Sequence, residues 1–262
     1  MQDLEIRVDG REILGSPRDR QRPNGFIVKP DGFQGWQGLP AGRREALARA
    51  VEHGEHDVPV YLPSRTVTID AWVVSDSPYD LGNLADKFVG IGAAGARTRM
   101  TVTLQGKTMY ADGRRILAEF DDSAHRNGGE HGEAQLQMVF ADPRKYGDMN
   151  TLPGDTLNPK NPAATATSIP VFHYGNFPAY PVVEIPSAPA AYTITSPGGT
   201  YTVTGATSGG THRVDLRRGR VFRNGVEMPN VGRGNLWVVP PGAPWVHTLS
   251  VAGRVLIPNT YI

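Results

Sequence analysis

The chain has 262 residues, with 27 Lys and Arg against 26 Asp and Glu, which gives a formal net charge of +1. This length suits one large domain or two of ordinary size, each able to bury a hydrophobic core. The sequence contains no Cys, which excludes a disulfide framework and thiolate chemistry. No apolar run approaches the roughly 18 residues of a membrane span, and the amino-terminal residues alternate as in a strand, without the apolar segment of a signal peptide. We therefore expect a soluble protein made in a cytoplasm.

Charge is distributed unevenly along the chain. Residues 1–150 hold 19 basic and 22 acidic residues, whereas residues 151–262 hold 8 and 4. Such a basic second half would suit nucleic acid or another polyanion. No stacking platform of several aromatic residues is interleaved with its arginines, which favours the solvent face of a strand pair instead. The clustered arginines are Arg213, Arg217, Arg218, Arg220 and Arg223.

The first half is predicted to be β-strands around a single helix. Residues 4–8 alternate between apolar and polar side chains, as do residues 65–74. Residues 43–52 are compatible with a short helix or with an extended arm, and residues 58–62 with a strand. Within 65–74, one predicted face carries Val67, Ile69, Ala71 and Val73, and the other carries Thr66, Thr68, Asp70 and Trp72. Further strands are predicted at 100–104, 108–111, 115–120 and 134–140, with an exposed loop over 121–132.

The helix prediction rests on capping signals and on an apolar stripe. Ser77 is a good N-cap, Pro78 suits the first helical position, and Asp80 places an acid in the first turn. The stripe should cover a sheet, because its spacings of three, four and three residues repeat one helical face. The residues of the stripe are Leu81, Leu84, Phe88 and Ile91.

A boundary is predicted near residue 142, where the chain becomes rich in proline and poor in large apolar residues. We predict a first domain over 1–148, a linker over 149–168 and a second β domain over 169–262. Strands of the second domain are predicted at 171–174, 182–185, 192–195, 200–204 and 254–257.

Short motifs in the second domain follow one another in a specific order. Val214 and Leu216 alternate with polar neighbours, as in a half-buried strand. Asn224-Gly225 is a strong signal for a type I′ hairpin turn, since both residues tolerate positive φ. A strand around Leu236-Trp237 and a turn at Pro241-Gly242 come next. Residues 175–185, Gly-Asn-Phe-Pro-Ala-Tyr-Pro-Val-Val-Glu-Ile, open the domain.

This order resembles the distal tail proteins of long, flexible-tailed bacteriophages. The first domain is similar as well, with His53-Gly54, then Arg-Thr-Val-Thr-Ile at residues 65–69, then a helix and several strands. It closes with Val-Phe-Ala-Asp-Pro-Arg-Lys-Tyr at residues 139–146. The resemblance spans about 210 residues and predicts a mainly β fold. It implies an amino-terminal β-sandwich or split-barrel-like ring domain with one helix, and a carboxy-terminal jelly-roll sandwich of the galectin type.

The resemblance also implies a function, that of a structural protein of the virion and not an enzyme. Six copies would form a ring at the tail tip, joining the major tail tube protein to the tip hub (tail-associated) protein and to receptor-binding or other tip proteins. The ring would leave a channel through which DNA only passes. Assembly would take place in the host cytoplasm, with no membrane contact, no cofactor, no metal and no catalytic residue.

Two polar segments are candidate metal sites. Residues 52–57, Glu-His-Gly-Glu-His-Asp, place two His three residues apart among acids, which is compatible with a transition metal. No remote third or fourth ligand is indicated, and a polar connector before a strand explains the segment equally well. The same two interpretations apply to the second segment, which holds His125, Glu130, His131 and Glu133.

Enzymatic and nucleotide-binding motifs are weak in this sequence. Residues 90–95, Gly-Ile-Gly-Ala-Ala-Gly, match Gly-x-Gly-x-x-Gly by letter but should end a helix, whereas dinucleotide sites place this motif between a strand and a helix. Asp121-Asp122 could serve as a glycosidase pair, but adjacent acids on a loop are usually only solvated. The sequence therefore carries no motif on which to base an enzyme.

A glycan-binding module is the competing hypothesis. The second domain resembles galectin-like folds, and Trp237, Trp245 or Tyr261 would stack on a sugar ring. Trp237 stands in Leu-Trp-Val-Val, which favours a core position, whereas Trp245 lies between Pro244 and Val246 and is less defined.

Overall fold

The computed structural model describes residues 4–14, 24–38, 41–121, 130–154 and 165–262. The chain is mainly β and divides into two compact units, Met1–Lys145 and Tyr146–Ile262. The described residues form a single α-helix in addition to the strands. No helix in this part of the chain is long and apolar enough to cross a membrane. The predicted fold class is confirmed.

The first unit is a closed barrel of seven strands. Its elements in chain order are β1 (Leu4–Val8), β2 (Arg11–Leu14), β3 (Gly25–Gln34), β4 (Arg65–Val74), α1 (Pro78–Val89), β5 (Thr98–Leu104), β6 (Lys107–Asp121) and β7 (His131–Phe140). Neighbouring strands pair in the order β1–β2–β3–β4–β7–β6–β5, and β5 pairs back with β1. Among these pairings of the described strands, β2 with β3 is the parallel one. The sequence predicted a β-sandwich or a split-barrel-like domain, and the observed sheet is a barrel whose strands close into a ring.

Alternation of side chains explains why this sheet surrounds a core. Along β4 every second side chain is fully buried, and the intervening ones face outward, as the sequence predicted. β4 pairs with β7 over its whole length, so the two strands contribute adjoining rows to the core. The buried residues of β4 are Val67, Ile69, Ala71 and Val73, and those of β7 include Leu136, Met138 and Phe140.

Helix α1 begins where the capping signals predicted. The Ser77 hydroxyl accepts a hydrogen bond from the backbone N–H of Asp80 at 3.1 Å, and Pro78 occupies the first turn. The helix ends at Gly90, whose N–H donates to the carbonyl of Asp86 at 3.0 Å. Both termini are therefore set by local sequence.

The apolar stripe of α1 packs on the barrel. Leu81 and Phe88 are buried and Leu84 is half-buried. Ile91 is buried as well but lies beyond the last helical residue, Val89, so the helix is two residues shorter than the stripe predicted. The Phe88 ring stacks on that of Phe26 in β3, with centroids 5.1 Å apart. The predicted covering of a sheet by this helix is therefore observed.

The second unit contains ten strands among its described residues. In chain order they are β8 (Lys145–Leu152, beginning at the last residue of the first unit), β9 (Ala166–Val171), β10 (Val182–Ile185), β11 (Tyr192–Ser196), β12 (Gly199–Val203), β13 (His212–Asp215), β14 (Arg220–Arg223), β15 (Val226–Met228), β16 (Gly232–Gly234) and β17 (Trp245–Tyr261).

Two sheets of the second unit share the strand β17. Its first part pairs with β9 and β11, in the sheet ordered β9–β17–β11–β12–β16. Its later residues, Arg254 to Leu256, pair with β10, in the sheet ordered β15–β14–β13–β10–β17. The pairing with β9 shifts register between Thr248 and Gly253, where the strand passes from one sheet to the other. The unit is thus a two-sheet sandwich.

The hairpin turn between β14 and β15 has the predicted form. Asn224 and Gly225 both have positive φ, of 49° and 86°, as a type I′ turn requires. Val214 and Leu216 are buried in the sandwich core, which confirms the alternation predicted for this segment.

Several segments differ from the sequence-based prediction. The prediction of a strand at residues 58–62 is wrong, because these residues pair only through one isolated bridge. Leu236-Trp237 is also outside any strand, although Val239 nearby bridges to Ala179. Within the predicted linker 149–168, β8 continues to Leu152 and β9 starts at Ala166, and residues 155–164 lie outside the described residues. The domain limits 1–148 and 169–262 stay predictions.

Candidate functional site

Residues 41–62, which lie between β3 and β4, form an extended arm on the first unit. Two isolated antiparallel bridges join its sides, Arg43 with Tyr61 and Ala48 with Glu55. The arm turns back at Gly54, whose φ is +91°. Residues 43–52 therefore take the extended form, which the sequence left open against a short helix.

The arm exposes large apolar side chains. Val51 is 96% exposed and Leu47 is 76% exposed, and Val60 and Tyr61 are also exposed. Scattered apolar residues are normal on a surface, but here four of them lie within one segment that has little core of its own. The arm is therefore suited to contact another surface.

The arm also carries charges of both signs. Arg44 forms ion pairs with Glu55 and with Asp57, the latter at 3.5 Å, and Arg49 pairs with Glu52 at 2.9 Å. These pairs are exposed and contribute little to stability. Those of Arg44 reach across from one side of the arm to the other, and all three present acidic and basic groups next to its apolar residues.

A buried guanidinium fixes the loop that leads into the arm. Arg65 is 1% exposed, and its Nη1 donates to the carbonyls of Gly35, at 2.7 Å, and Trp36, at 2.9 Å, and also to that of Gly38. Its Nε donates to the carbonyl of Pro143 at 3.0 Å. Burial lowers the pKa of Arg65. One side chain of β4 thus ties the loop at 35–38 to the segment after β7.

A second buried cation shares one of these carbonyls. Lys145 Nζ donates to the Trp36 carbonyl at 3.0 Å and lies 5.7 Å from the centroid of the Trp36 ring. Burial lowers the pKa of Lys145 to about 8, and the positive charges of Arg65 and Lys107 add to this effect. Trp36 and the two cations therefore form a buried base for the loop at 35–38, which precedes the arm in the chain.

Solved structures of other proteins share the fold of this chain. No protein-family model and no curated protein matches it. Among solved structures, the SPP1 Dit (gp 19.1) protein superposes with a TM-score of 0.71 at 15% sequence identity, over 99% of this chain and 99% of that chain. The chain shares its fold with SPP1 Dit. That protein is described as a paradigm of the hub adsorption apparatus in phages that infect Gram-positive hosts.

Chains of the phage P2 baseplate in its activated conformation are also similar. The structure with Ca gives a TM-score of 0.53 at 9% identity, and the structure with Sr gives 0.53 at 10% identity. Both comparisons cover 98% of this chain and 98% of the other. The predicted resemblance to distal tail proteins is thereby confirmed at the level of the fold.

The two segments weighed as metal sites lie apart in the chain and have different surroundings. Residues 52–57 form the end of the exposed arm, where Glu52, Glu55 and Asp57 pair with arginines. Glu130 and His131 stand at the start of β7 with Glu133, and His125 lies outside the described residues. Among described residues no group of three or more His, Cys, Asp or Glu is arranged to hold a metal ion.

The glycine-rich stretch at residues 90–95 and the pair Asp121-Asp122 are the other two candidate motifs. Residues 90–95 follow directly on α1, and Gly92 and Gly95 both have positive φ. Asp121 is the last residue of β6, and Asp122 lies outside the described residues. The Gly-rich stretch thus ends a helix and does not open one, as expected from the sequence.

The aromatic residues of the competing glycan hypothesis are largely withdrawn from solvent. Trp237 is 5% exposed, and its Nε1 donates to Nε2 of His247 at 2.9 Å. His247 is fully buried and donates from Nδ1 to the Trp245 carbonyl at 3.0 Å, so the ring is held in one neutral tautomer. Trp245 and Tyr261 are half-buried. Trp237 is therefore a core residue and cannot act as a sugar platform.

The arginine cluster is mostly engaged within its own unit. Arg213 lies 3.8 Å from Glu184, and Arg220 pairs with Glu227 at 2.9 Å. Arg223 donates to the Gly209 carbonyl at 2.8 Å, and the Arg217 guanidinium lies 5.5 Å from the centroid of the Tyr180 ring. Arg218 stands in the turn between β13 and β14. These contacts support the solvent face of a strand pair over a polyanion site.

Sequence reasoning missed the arm and the buried base of the loop that precedes it. The signal available was the coincidence of four apolar residues with two prolines, Pro59 and Pro63, in a segment flanked by strands. Arg65 was treated only as the start of a strand. Its burial depends on carbonyls 30 and 78 residues away, which no local pattern reports.

Proposed function

We propose that this chain is a distal tail protein, a structural component of the tail tip of a phage. The observation that carries the proposal is the superposition of the whole chain, and not of one unit alone, on SPP1 Dit at a TM-score of 0.71. Both units of the chain are included in that match. The order of sequence motifs in each unit supports the same assignment.

The proposed assembly is a ring of six copies at the end of the tail tube. A ring needs a heterologous interface that closes, in which one patch of each copy meets a different patch of the next. The arm at 41–62 would supply one such patch, because it presents exposed apolar residues beside charges of both signs. The described strands of the barrel pair with one another in a closed ring, so the arm is the more suitable element for contact.

The proposed ring leaves an axial channel through which DNA passes without specific binding. Its first units would continue the tail tube, in contact with the major tail tube protein. Its second units would face outward and contact the tip hub protein and receptor-binding or other tip proteins. The protein would be assembled in the host cytoplasm and reside in the virion. No enzymatic activity is part of this proposal, since the similar structures are described as a hub and baseplates.

The oligomeric mass of the full chain tests the proposal. We expect light scattering to give six copies per particle, and negative-stain images to show rings with a central opening. Leu47→Asp combined with Val51→Asp should reduce the mass to that of smaller species, because two charges would enter the proposed contact. The unfolding midpoint of each copy should hardly change, since both side chains are exposed within the protomer.

Val226→Asp is the matched control, because Val226 is equally an exposed apolar residue but lies in the second unit. This variant should keep the mass of the unmodified protein. A chain that remains monomeric at all concentrations, with no rings in images, would contradict the proposal. Loss of the ring in the control variant, but not in the arm variant, would contradict the role of the arm.

A further inference from the structure

An open pocket of about 640 Å³ lies on the first unit, at one end of β4, β6 and β7. This volume falls within the roughly 300–1,000 Å³ of pockets that hold small molecules. The pocket lies on the outside of the barrel, since its main side chains alternate with the buried residues of the core. Its lining includes the side chains of Ile27, Trp72, Val74, Asp121, His131 and Glu133.

Strand register brings the central side chains into one row. Ile27 of β3 pairs with Trp72 of β4, and Trp72 pairs with Glu133 of β7. Glu133 in turn pairs with Asp121 of β6. Directly paired residues have Cβ atoms about 4.5–5.5 Å apart. An aromatic ring, an aliphatic side chain and two carboxylates are therefore held side by side by backbone pairing across four strands.

Trp72 is the notable member of this row. It is 44% exposed, although the residues on either side of it, Ala71 and Val73, are fully buried. The two other tryptophans whose burial is nearly complete, Trp36 and Trp237, are part of their units' cores. An outward tryptophan on a regular strand does not contribute to the barrel core, so its large apolar face is available to a ligand.

Polar groups around Trp72 supply both donors and acceptors. Lys29 Nζ donates to Glu133 Oε2 at 2.5 Å, which neutralises that carboxylate and fixes its position. Glu133 nonetheless keeps 58% of its side chain exposed, and His131 adds a ring that can donate or accept. The rim is therefore mixed, and it does not present one dominant sign of charge to an ion.

We propose that this pocket binds a saccharide. The C–H face of a sugar ring would stack on the Trp72 indole, with Ile27 and Val74 extending the apolar surface. Its hydroxyl groups would pair with Glu133, Asp121 and His131 at the rim, since a hydroxyl can donate to a carboxylate and accept from an imidazole N–H. This site is distinct from Trp237, Trp245 and Tyr261, and the inference does not depend on the ring.

Calorimetric titration of the full chain with three trisaccharides tests the inference. The probes are maltotriose, cellotriose and the trimer of N-acetylglucosamine, which differ in linkage and in substituents. We expect saturable binding of at least one of them. Trp72→Ala should weaken that binding by at least about tenfold, the scale expected when a central aromatic anchor is truncated.

Tyr79→Ala is the matched control, because Tyr79 is also an exposed aromatic residue of the first unit but is not among the pocket residues. The affinity of the Tyr79→Ala variant for the sugar should equal that of the unmodified chain. Glu133→Gln provides a second test that keeps the shape of the site, and it should also weaken binding. If Trp72→Ala does not fold, the sugar affinity of Glu133→Gln tests the inference.

Three results would overturn the inference. One is the absence of binding of all three sugars to the unmodified chain. Another is binding that survives both Trp72→Ala and Glu133→Gln. The third is a loss of oligomeric mass in Trp72→Ala without sugar binding to the unmodified chain, because Trp72 would then be a contact between copies. The oligomeric mass of the unmodified chain is measured separately, so failure of this site leaves the proposed tail function intact.

Discussion

Single buried polar residues give this molecule pH-dependent properties. His247 receives a hydrogen bond from Trp237 and donates one to the Trp245 carbonyl, so both ring nitrogens are used by the neutral form. Burial lowers the pKa of His247 below its ordinary value of 6.5, and the backbone hydrogen bond only partly opposes this effect. A second proton would remove the acceptor that Trp237 needs.

His247 should therefore make the second unit less stable in acid. With a folded-state pKa below 6.5, the unfolded chain takes up the proton more readily, so stability is unaffected above about pH 6.5 and falls as the pH decreases below it. We expect urea unfolding at pH 7.5 and pH 5 to show this loss, and His247→Gln to reduce it. His173, whose pKa burial also lowers, should account for part of what remains.

His131→Gln is the control for that measurement, since His131 is exposed. The variant should lose the same stability between the two pH values as the unmodified chain. If His247→Gln loses as much stability between pH 7.5 and pH 5 as the unmodified chain, His247 is not the cause of the loss.

At the scale of elements, Phe88 is the larger of the two buried side chains of the helix α1, the other being Leu81. Phe88 is fully buried between Phe26 and Phe120, with ring centroids at 5.1 and 6.4 Å. We expect Phe88→Ala to lower the free energy of unfolding by roughly 3–5 kcal/mol, because the surrounding strands cannot close the cavity. Guanidinium chloride unfolding of the full chain measures the change.

Leu84→Ala offers a comparison on the same helix. Leu84 belongs to the same stripe but is only half-buried, so its loss should be clearly smaller. A loss under about 1 kcal/mol for Phe88→Ala would mean that the helix contributes little to this unit.

The elements that could be predicted from sequence are those whose cause is local. Ser77 and Pro78 mark the start of α1, and Asn224-Gly225 form a type I′ turn, because capping and positive φ depend on adjacent residues only. Strand β10 was predicted with its observed limits, since its apolar run is bounded by Pro181 and Pro186.

Elements that depend on distant partners were predicted less well. The sequence suggested a break near Asp112-Gly113, yet β6 continues through it. Gly113 is needed there because a Cβ atom would lie 2.6 Å from the Phe140 ring, which is a packing constraint and not a turn. Residues 58–62 were predicted as a strand but lie in the arm, where their described pairing is one isolated bridge. The proposed sugar site was missed because it depends on register across four strands, although the sequence did place Trp72 on the outward face of β4.

At the scale of the whole molecule, the barrel strands of the first unit pair with one another in a closed ring. Its barrel is closed by pairing of β1 with β5 and by the parallel pair of β2 and β3, which no local pattern could predict. We expect a fragment of residues 1–145 to form the same six-copy particle as the full chain, and a fragment of residues 146–262 to be monomeric. Light scattering of both fragments measures this.

The charge of the two units agrees with that expectation. Residues 1–145 mix 19 basic and 21 acidic residues, which allows complementary patches, whereas residues 146–262 hold 8 and 5 and are mainly basic, which disfavours self-contact. A monomeric first fragment together with an oligomeric second fragment would contradict both the assigned roles and the proposed tail function.

The shared strand β17 has a consequence for how the protein is made. It follows every other strand of the second unit in chain order, yet it pairs in both sheets of that unit. The first unit has all its barrel strands by Phe140 and can fold while the ribosome is still translating, as amino-terminal domains generally do. The second unit must wait with its sheets unjoined until β17 emerges. A ribosome stalled before Trp245 should therefore carry a folded first unit and a second unit that proteases digest.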